Sequence, residues 1–285
     1  MITLEEALQS GRGIERSFNC PAHEDSNASA SVNVNKNVWF CYACNATGTV
    51  SDEFAIAVDV VRDVSRLLEK DKEPEILPEA WLDLFDANYP SEYWSHRYGE
   101  RVAVKHRCGT DPVTGAPTYP IRDTAGRVLG VVLRQENSKC KYMYPAGVPV
   151  STTLYTLPES YFNGSYRRTP VVVLLEGAPD VMALDQAGIP DTMTCFGVFG
   201  AGLSYPQAEI IKTLSPRVVV AAFDDDNAGT AAVLRAQQQL AGVCEVLSVG
   251  WSTFGGKDPG DIPIDHRIDA IRQSLAGNPL TSRYA

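Results

Sequence analysis

Two short runs constrain the fold more than any other feature of this sequence. Val171-Val-Val-Leu-Leu175 leads into Glu176-Gly-Ala-Pro-Asp180, and Val218-Val-Val-Ala-Ala-Phe223 leads into Asp224-Asp-Asp226. An unbroken apolar, β-branched run has no polar face to offer water, so each reads as a strand covered on both sides, as in a parallel sheet. Ligands sit at the carboxyl edge of such sheets. Gly177 permits a sharp exit from the first strand, and Pro179 suits the first turn of the next helix, which keeps Asp180 close to Glu176. Strand alternation sends Asp224 and Asp226 to one side. If the strands are neighbours, Glu176, Asp180, Asp224 and Asp226 converge with no Lys or Arg in either motif, and such a cluster calls for a hard cation. The plainer reading is that each acid caps the helix after its strand. Capping accounts for one acid per helix and leaves the surplus unexplained.

With 285 residues, 44% of them hydrophobic, the chain is long enough for more than one domain. No stretch has the length and apolarity of a membrane span or the layout of a signal peptide, so a cytoplasmic location and no membrane partner are expected. Seven cysteines, an odd number without a secretion signal, point to metal or plain thiol roles instead of a disulfide framework. The net charge of −10 argues at first against a nucleic-acid partner. Its distribution reverses that: residues 1–50 carry −2, 51–92 carry −8, 93–168 carry +6 and 169–285 carry −6. Local clustering sets an electrostatic footprint, and 93–168 is the one basic region.

From the start, Thr3 and Glu6 form a capping-box pattern for a short helix around Glu5 to Leu8. Cys20-Pro-Ala-His23 is followed after seventeen residues by Cys41-Tyr-Ala-Cys44. Two close ligand pairs with a hairpin-sized insert are what a tetrahedral Zn2+ requires. The insert alternates over Ala30 to Val34, turns at Asn35-Lys-Asn37 and returns through Val38-Trp39-Phe40, so the two pairs meet across a hairpin. Four protein ligands leave no open position, which makes the site structural or recognitive. The run from Cys20 to Val50 resembles the zinc ribbon of bacterial-type replicative DNA primases. Asp52 to Leu68 is expected to be helical, and Glu69 to Glu75 reads as a charged linker.

Between Glu92 and Arg168 the chain is basic and strand-rich, with strands expected at Val102 to His106, Thr118 to Ile121 and Val128 to Arg134. Tyr119-Pro-Ile-Arg-Asp, Gly126-Arg-Val-Leu-Gly, Arg134 and Lys141-Tyr142 resemble motifs of the basic subdomain of the primase polymerase core. That resemblance implies that Arg122, Arg134, Lys141 and Tyr142 line a groove for template and incoming nucleotide. Arg suits phosphate, and an adjacent aromatic can stack on a base. A solvated basic face is the plainer alternative. From Pro170 on, strands alternate with helices through Val243 to Val249, a parallel α/β pattern, and Ile264 to Leu275 forms a last helix. Glu176-Gly-Ala-Pro-Asp180, Asp224-Asp-Asp226-Asn-Ala-Gly229 and Lys257-Asp258-Pro-Gly-Asp261 resemble the three signatures of the Toprim domain. Gly229, just inside its helix, is expected to let phosphate or metal-bound water approach the backbone.

The expected fold is therefore α/β: a zinc-ribbon domain over 1–68, a linker over 69–91, a mixed α+β basic subdomain over 92–169, a Rossmann-like Toprim domain over 170–262 and a C-terminal helix over 263–285. The resemblance implies a DNA-directed RNA polymerase that makes primers on single-stranded DNA from NTPs, with Glu176, Asp224 and Asp226 catalytic. Mg2+ or Mn2+ would be held by Glu176, Asp180, Asp224, Asp226, Asp258 and Asp261, with Asp258 the firmer ligand of the last pair. Glu176 is either a ligand or a proton acceptor. One structural Zn2+ would sit on Cys20, His23, Cys41 and Cys44. Trp39, Phe40 and Tyr42 are stacking candidates for template, with hairpin core the alternative and the preferred one for Phe40. A separate replicative helicase is a candidate partner, and the setting implied is the cytoplasm of a bacterial host cell. The rival readings are a Toprim nuclease or topoisomerase-like enzyme and a non-catalytic zinc-dependent DNA-binding protein.

Overall fold

The computed structural model describes residues 2–9, 14–26, 28–34, 38–44, 46–50, 74–87, 91–135, 141–160, 169–200, 202–279 and 281–284. The chain divides into two compact units, Met1–Glu73 and Pro74–Ala285. The helix expected over Asp52 to Leu68, the turn at Asn35 to Asn37 and most of the charged linker lie outside the described residues.

In the first unit a short helix, α1 (Leu4–Gln9), precedes an antiparallel sheet of β1 (Glu15–Phe18), β2 (Ala30–Asn33), β3 (Val38–Cys41) and β4 (Thr47–Thr49), in that spatial order. The capping box forms: Thr3 N–H donates to Glu6 Oε2 at 2.8 Å and Glu6 N–H to Thr3 Oγ1 at 3.2 Å. Strands β2 and β3 pair in the expected hairpin, Ala30 opposite Cys41 and Asn33 opposite Val38. Strands β1 and β4 carry too few alternating residues to announce themselves in sequence. Phe18, Val32 and Cys41 form the centre of a small core, with the Trp39 ring edge-on to Phe18 at 5.7 Å.

The second unit begins with a 3-10 turn, Glu79–Leu84, and two helices, α2 (Glu92–Tyr98) and α3 (Glu100–Lys105). The expected strand at Val102 to His106 is thus a helix. Gly99, at φ 86°, breaks α2 and starts α3. Val102 and Ala103 are buried while Val104 is 68% exposed, so the Val-Ala-Val run follows helical and not alternating burial. A four-stranded antiparallel sheet follows, in the order β5 (Gly109–Thr110), β6 (Pro117–Arg122), β7 (Val128–Arg134) and β8 (Tyr142–Met143). Beyond the two-residue strand β9 (Tyr155–Thr156), the chain alternates through β10 (Val171–Leu175), α4 (Ala178–Ala187), β11 (Met193–Gly197), α5 (Tyr205–Leu214), β12 (Val218–Ala221), α6 (Asn227–Gln239), β13 (Glu245–Ser248) and α7 (Ile264–Ala276).

These strands form one sheet in the order β13-β12-β10-β11-β9, parallel except for the edge strand β9. Alternate residues of β10 face opposite ways. Val171, Val173 and Leu175 pack with Val181, Leu184 and Ile271 of α4 and α7, whereas Val172 and Leu174 pack with Ile211 and Ala236 of α5 and α6. Each such fully buried aliphatic side chain contributes about 1.5–3 kcal/mol relative to exposure, which is why the Val-rich runs were legible. Trp94, Tyr119 and Tyr155 of the basic region share the first of these two cores, so basic region and sheet are one packed body. The chain leaves β10 to one side for β11 and returns to the other side for β12. The reversal of strand order falls between the carboxyl ends of β10 and β12, the position at which open α/β sheets bind ligands. Among the described residues, no helix is long and apolar enough to cross a membrane.

Candidate functional site

The first constellation is in the zinc-ligand pattern. Cys20, His23, Cys41 and Cys44 each place one donor atom so that all lie within 4.8 Å of one another. His23 Nδ1 is buried without a hydrogen-bond partner. Cys20 and Cys44 bring their sulfurs to 3.7 Å, and Ser29 Oγ lies 3.3 Å from Cys41 Sγ. Burial opposes ionisation of Cys41, but the Ser29 hydroxyl and the Cys44 and Ala43 N–H groups outweigh it and bring the thiol down to about 6. A thiolate beside an unpartnered imidazole nitrogen is a donor set that fits Zn2+. Phe40 is 37% and Tyr42 61% exposed, and their rings meet edge to face at 5.2 Å. Phe40 therefore does not belong to the hairpin core: β3 points Trp39 inward and its neighbour outward.

The second constellation is at the reversal point. Glu176 follows β10, Asp224 lies beyond the end of β12, and both are half-buried. Burial, then the charges of Asp226 and Asp258, raise Glu176, although the Asp224 main chain draws it back. Burial and then Glu176, Asp258 and Asp226 push Asp224 up to about 7. Asp180, at the third position of α4, accepts from Gly177 N–H at 3.0 Å and is nonetheless pushed up to about 8 by burial and by Asp258 and Asp224. Asp258 acts on all three acids, and it accepts from Gly260 N–H at 2.6 Å and Asp261 N–H at 2.9 Å. Asp261 is exposed and contributes its main chain to this loop. Asp226 is exposed and caps α6, its Oδ1 accepting from Gly229 N–H at 2.8 Å. No described Lys or Arg forms a salt bridge with Glu176, Asp180, Asp224 or Asp258. Half-buried oxygen donors that repel one another are the type a divalent cation takes, although among the described residues only the Cys/His group already brings three or more donor atoms close enough to share one ion.

Two glycines act differently from expectation. Gly177 is in extended backbone, at φ −153°, and the close approach belongs to Gly197, whose Cβ would stand 2.8 Å from the Gly177 carbonyl carbon. A Cβ on Gly229 would stand 1.9 Å from the Asp224 carbonyl oxygen. The space over Gly229 is filled by the chain's own backbone, so this glycine serves to bend the Asp224 loop onto α6 and does not open a path for phosphate or water.

The four basic-region residues separate. Arg134 lies over the rings of Tyr93 at 4.8 Å and Tyr142 at 5.6 Å, donates to Tyr142 Oη at 3.0 Å and keeps Nε buried without a partner. Tyr142, Tyr119 and Tyr98 all sense the charge of Asp180, which places this aromatic group beside the acids. Lys141 is exposed. Arg122 donates to both Glu79 oxygens, at 2.6 and 2.7 Å, and to the Gly126 carbonyl. It lines a cavity of about 500 Å3 with Lys105, His106, Arg107, Tyr155 and Glu159, and none of the acids above lines it. Sequence reasoning missed Tyr93, Arg97 and Tyr98. Arg97 donates to Tyr98 Oη at 2.9 Å and approaches the Gly260 turn, its Nη2 3.2 Å from where a Cβ would stand. The four-residue spacing of Tyr93 and Arg97 on one helix face was the available signal.

Residues 173–262 match the Toprim-like family and residues 8–67 the CHC2 zinc finger. With that match and the four-donor geometry, the first constellation is a structural zinc site. The chain is 24% identical to the DNA primase of Deinococcus radiodurans, over 93% of this chain and 56% of that protein. It is 22% identical to the DNA primase of Clostridium acetobutylicum, over 76% and 46% respectively. It spans about half the length of these curated relatives. Among solved structures, the zinc-binding and RNA polymerase domains of the Aquifex aeolicus primase align at TM-score 0.48 and 20% identity, covering 87% of this chain and 75% of that one. The primase fragment of the bacteriophage T7 primase-helicase protein aligns at 0.47 and 16%, covering 91% and 99%.

Proposed function

We propose, from the matches to a CHC2 zinc finger and a Toprim-like domain and the similarity to bacterial DNA primases, that the chain is a primase of that type and synthesises short RNA primers from NTPs on a single-stranded DNA template. The observation that carries this reading is the group of Glu176, Asp180, Asp224 and Asp258 at the sheet's reversal point: the first three are held above ordinary carboxylate behaviour, Asp258 helps to raise each of them, and none of the four is ion-paired with a described Lys or Arg. Glu176, Asp224 and Asp258 would hold Mg2+ or Mn2+, with Asp180 and Asp226 around them. Such a cation, when bound, favours the alkoxide form of a nucleotide's 3′-hydroxyl and offsets the charge of the departing pyrophosphate.

The chain's own groups do the remaining work. In the alternative role Glu176 stands at the strand end as the proton acceptor instead of a ligand, and partial rescue of Glu176→Gln by excess Mg2+ or by Mn2+ would favour the ligand role. Arg134, held flat by Tyr93 and Tyr142, presents a guanidinium edge for phosphate and has one N–H already in want of an acceptor. Phe40 and Tyr42 on the zinc ribbon offer exposed faces on which template bases can stack. The test is ribonucleotide incorporation on single-stranded DNA with no added primer. Asp224→Asn is expected to lower it by at least about 100-fold with an unchanged fold. Full activity in that variant would overturn the reading.

A further inference from the structure

The acids of the proposed catalytic group come from three segments, and the third, which carries Asp258, belongs to no regular element. Something must fix its distance from Asp224. The residue between the two carboxylates of the second motif supplies the connection. Asp225 N–H donates to the Lys257 carbonyl at 2.9 Å, and Asp225 Oδ2 accepts from Ser252 N–H at 2.6 Å. Lys257 directly precedes Asp258, and Ser252 lies in the 3-10 turn Trp251–Phe254 that begins the same segment. A second pin lies beneath: the fully buried Trp251 donates its Nε1–H to the Phe223 carbonyl at 3.2 Å. The peptide stretch 223–225 thus grips both ends of 251–257.

We infer that Asp225 is a positioning residue, acting as a clamp that sets the spacing of Asp224 and Asp258 and so tunes divalent-cation affinity. The inference rests on the reading that these acids hold a cation. Its carboxylate is engaged by the Ser252 amide, and the residue itself is exposed. What the clamp needs is an acceptor oxygen, not a negative charge, so asparagine serves where alanine does not. Removing a group that orients a metal ligand from outside the ligand set costs affinity about 10–100-fold.

The experiment measures Mn2+ binding to the zinc-loaded full chain by calorimetry for the wild type, Asp225→Ala and Asp225→Asn, with hydrogen exchange at Ser252 and primer synthesis titrated against Mg2+. Asp225→Ala should weaken Mn2+ binding about 10-fold or more, speed exchange of the Ser252 amide and raise the Mg2+ needed for half-maximal synthesis while the rate at saturating Mg2+ stays near wild type. Asp225→Asn should stay within about threefold of wild type in all three. Equal losses in both variants would overturn the inference in favour of a direct charge contribution. Faster exchange at Ser252 in Asp225→Ala with unaltered Mn2+ affinity would overturn it in favour of a purely structural contact. A wild-type chain that binds no Mn2+ would instead bring down the cation reading itself, and the inference with it.

Discussion

Asp180 and Asp224 keep protons that ordinary carboxyls lose, and this makes the acid group measurable without any assay of synthesis. In the unfolded chain both release protons near 3.8; in the folded chain they do so at about 8 and about 7. Between those limits the folded state binds more protons, so without divalent cation the stability of the second unit falls as pH rises from about 4 to about 8. Asp224→Asn removes one of the repelling charges and is expected to raise the melting temperature at pH 8 and flatten the slope. Thermal melts from pH 5 to pH 8, with and without Mg2+, check this, and a variant that melts lower at every pH would mean that Asp224 is a structural group only. Arginine offers a second contrast. Arg134→Ala should weaken single-stranded DNA binding and reduce its salt slope by about 0.7, one phosphate's worth. Arg122→Ala should leave that slope unchanged, because its guanidinium is already engaged by Glu79, and its exposed ion pair is worth about 0.2–1 kcal/mol. Charge counting along the chain could not separate these two residues; what separates them is which acid folds back onto which arginine, a long-range fact.

At the scale of elements, helix capping accounts for some of the acids and leaves others over. Asp226 caps α6 and Asp180 returns to the amide of Gly177 at the start of α4, which leaves Glu176, Asp224 and Asp258 as the surplus. Asp226→Ala is expected to cost about 0.5–2 kcal/mol of stability, and Asp226→Asn, which keeps the cap, only a few tenths. Denaturant melts of the two variants read the difference directly. Gly229→Ala should be worse than either, since its methyl would fall on the Asp224 carbonyl oxygen, at a cost of about 1–3 kcal/mol or more. The sheet was legible because each of its central strands is apolar on both faces, and the β2–β3 hairpin because its ends carry ligand pairs. The stretch Val102 to His106 was not. Two buried residues next to one exposed valine satisfy strand and helix templates alike over so short a run, and Gly99 decides between them through a backbone angle that composition does not reveal. Strands β1 and β4, of four and three residues, owe their existence to pairing with the hairpin and have no pattern of their own.

For the whole molecule, the two units draw on different sources of stability. Among the described residues of the first unit, the cluster around Phe18, Val32 and Cys41 is small, and two of its members, Cys20 and Cys41, belong to the zinc-donor group. A core that draws on its own metal donors is expected to depend on the metal for its stability. The second unit has an aliphatic sheet covered on both faces and no such dependence. Stripping zinc with a chelator should therefore release hydrogen-exchange protection across β1 to β4 while β10, β11 and β12 keep theirs, and Cys41→Ser should do the same without chelator. Mn2+ binding at the acid group should survive both treatments, because none of its residues belongs to the first unit. Template-directed synthesis should fall nonetheless if Phe40 and Tyr42 hold the template, since an unfolded ribbon no longer presents them. The informative combination is retained Mn2+ affinity, retained protection at β10 and lost synthesis on long templates: it would assign the ribbon to template engagement and the sheet edge to chemistry. Loss of protection at β10 on zinc removal would instead show that the second unit depends on the first for its stability.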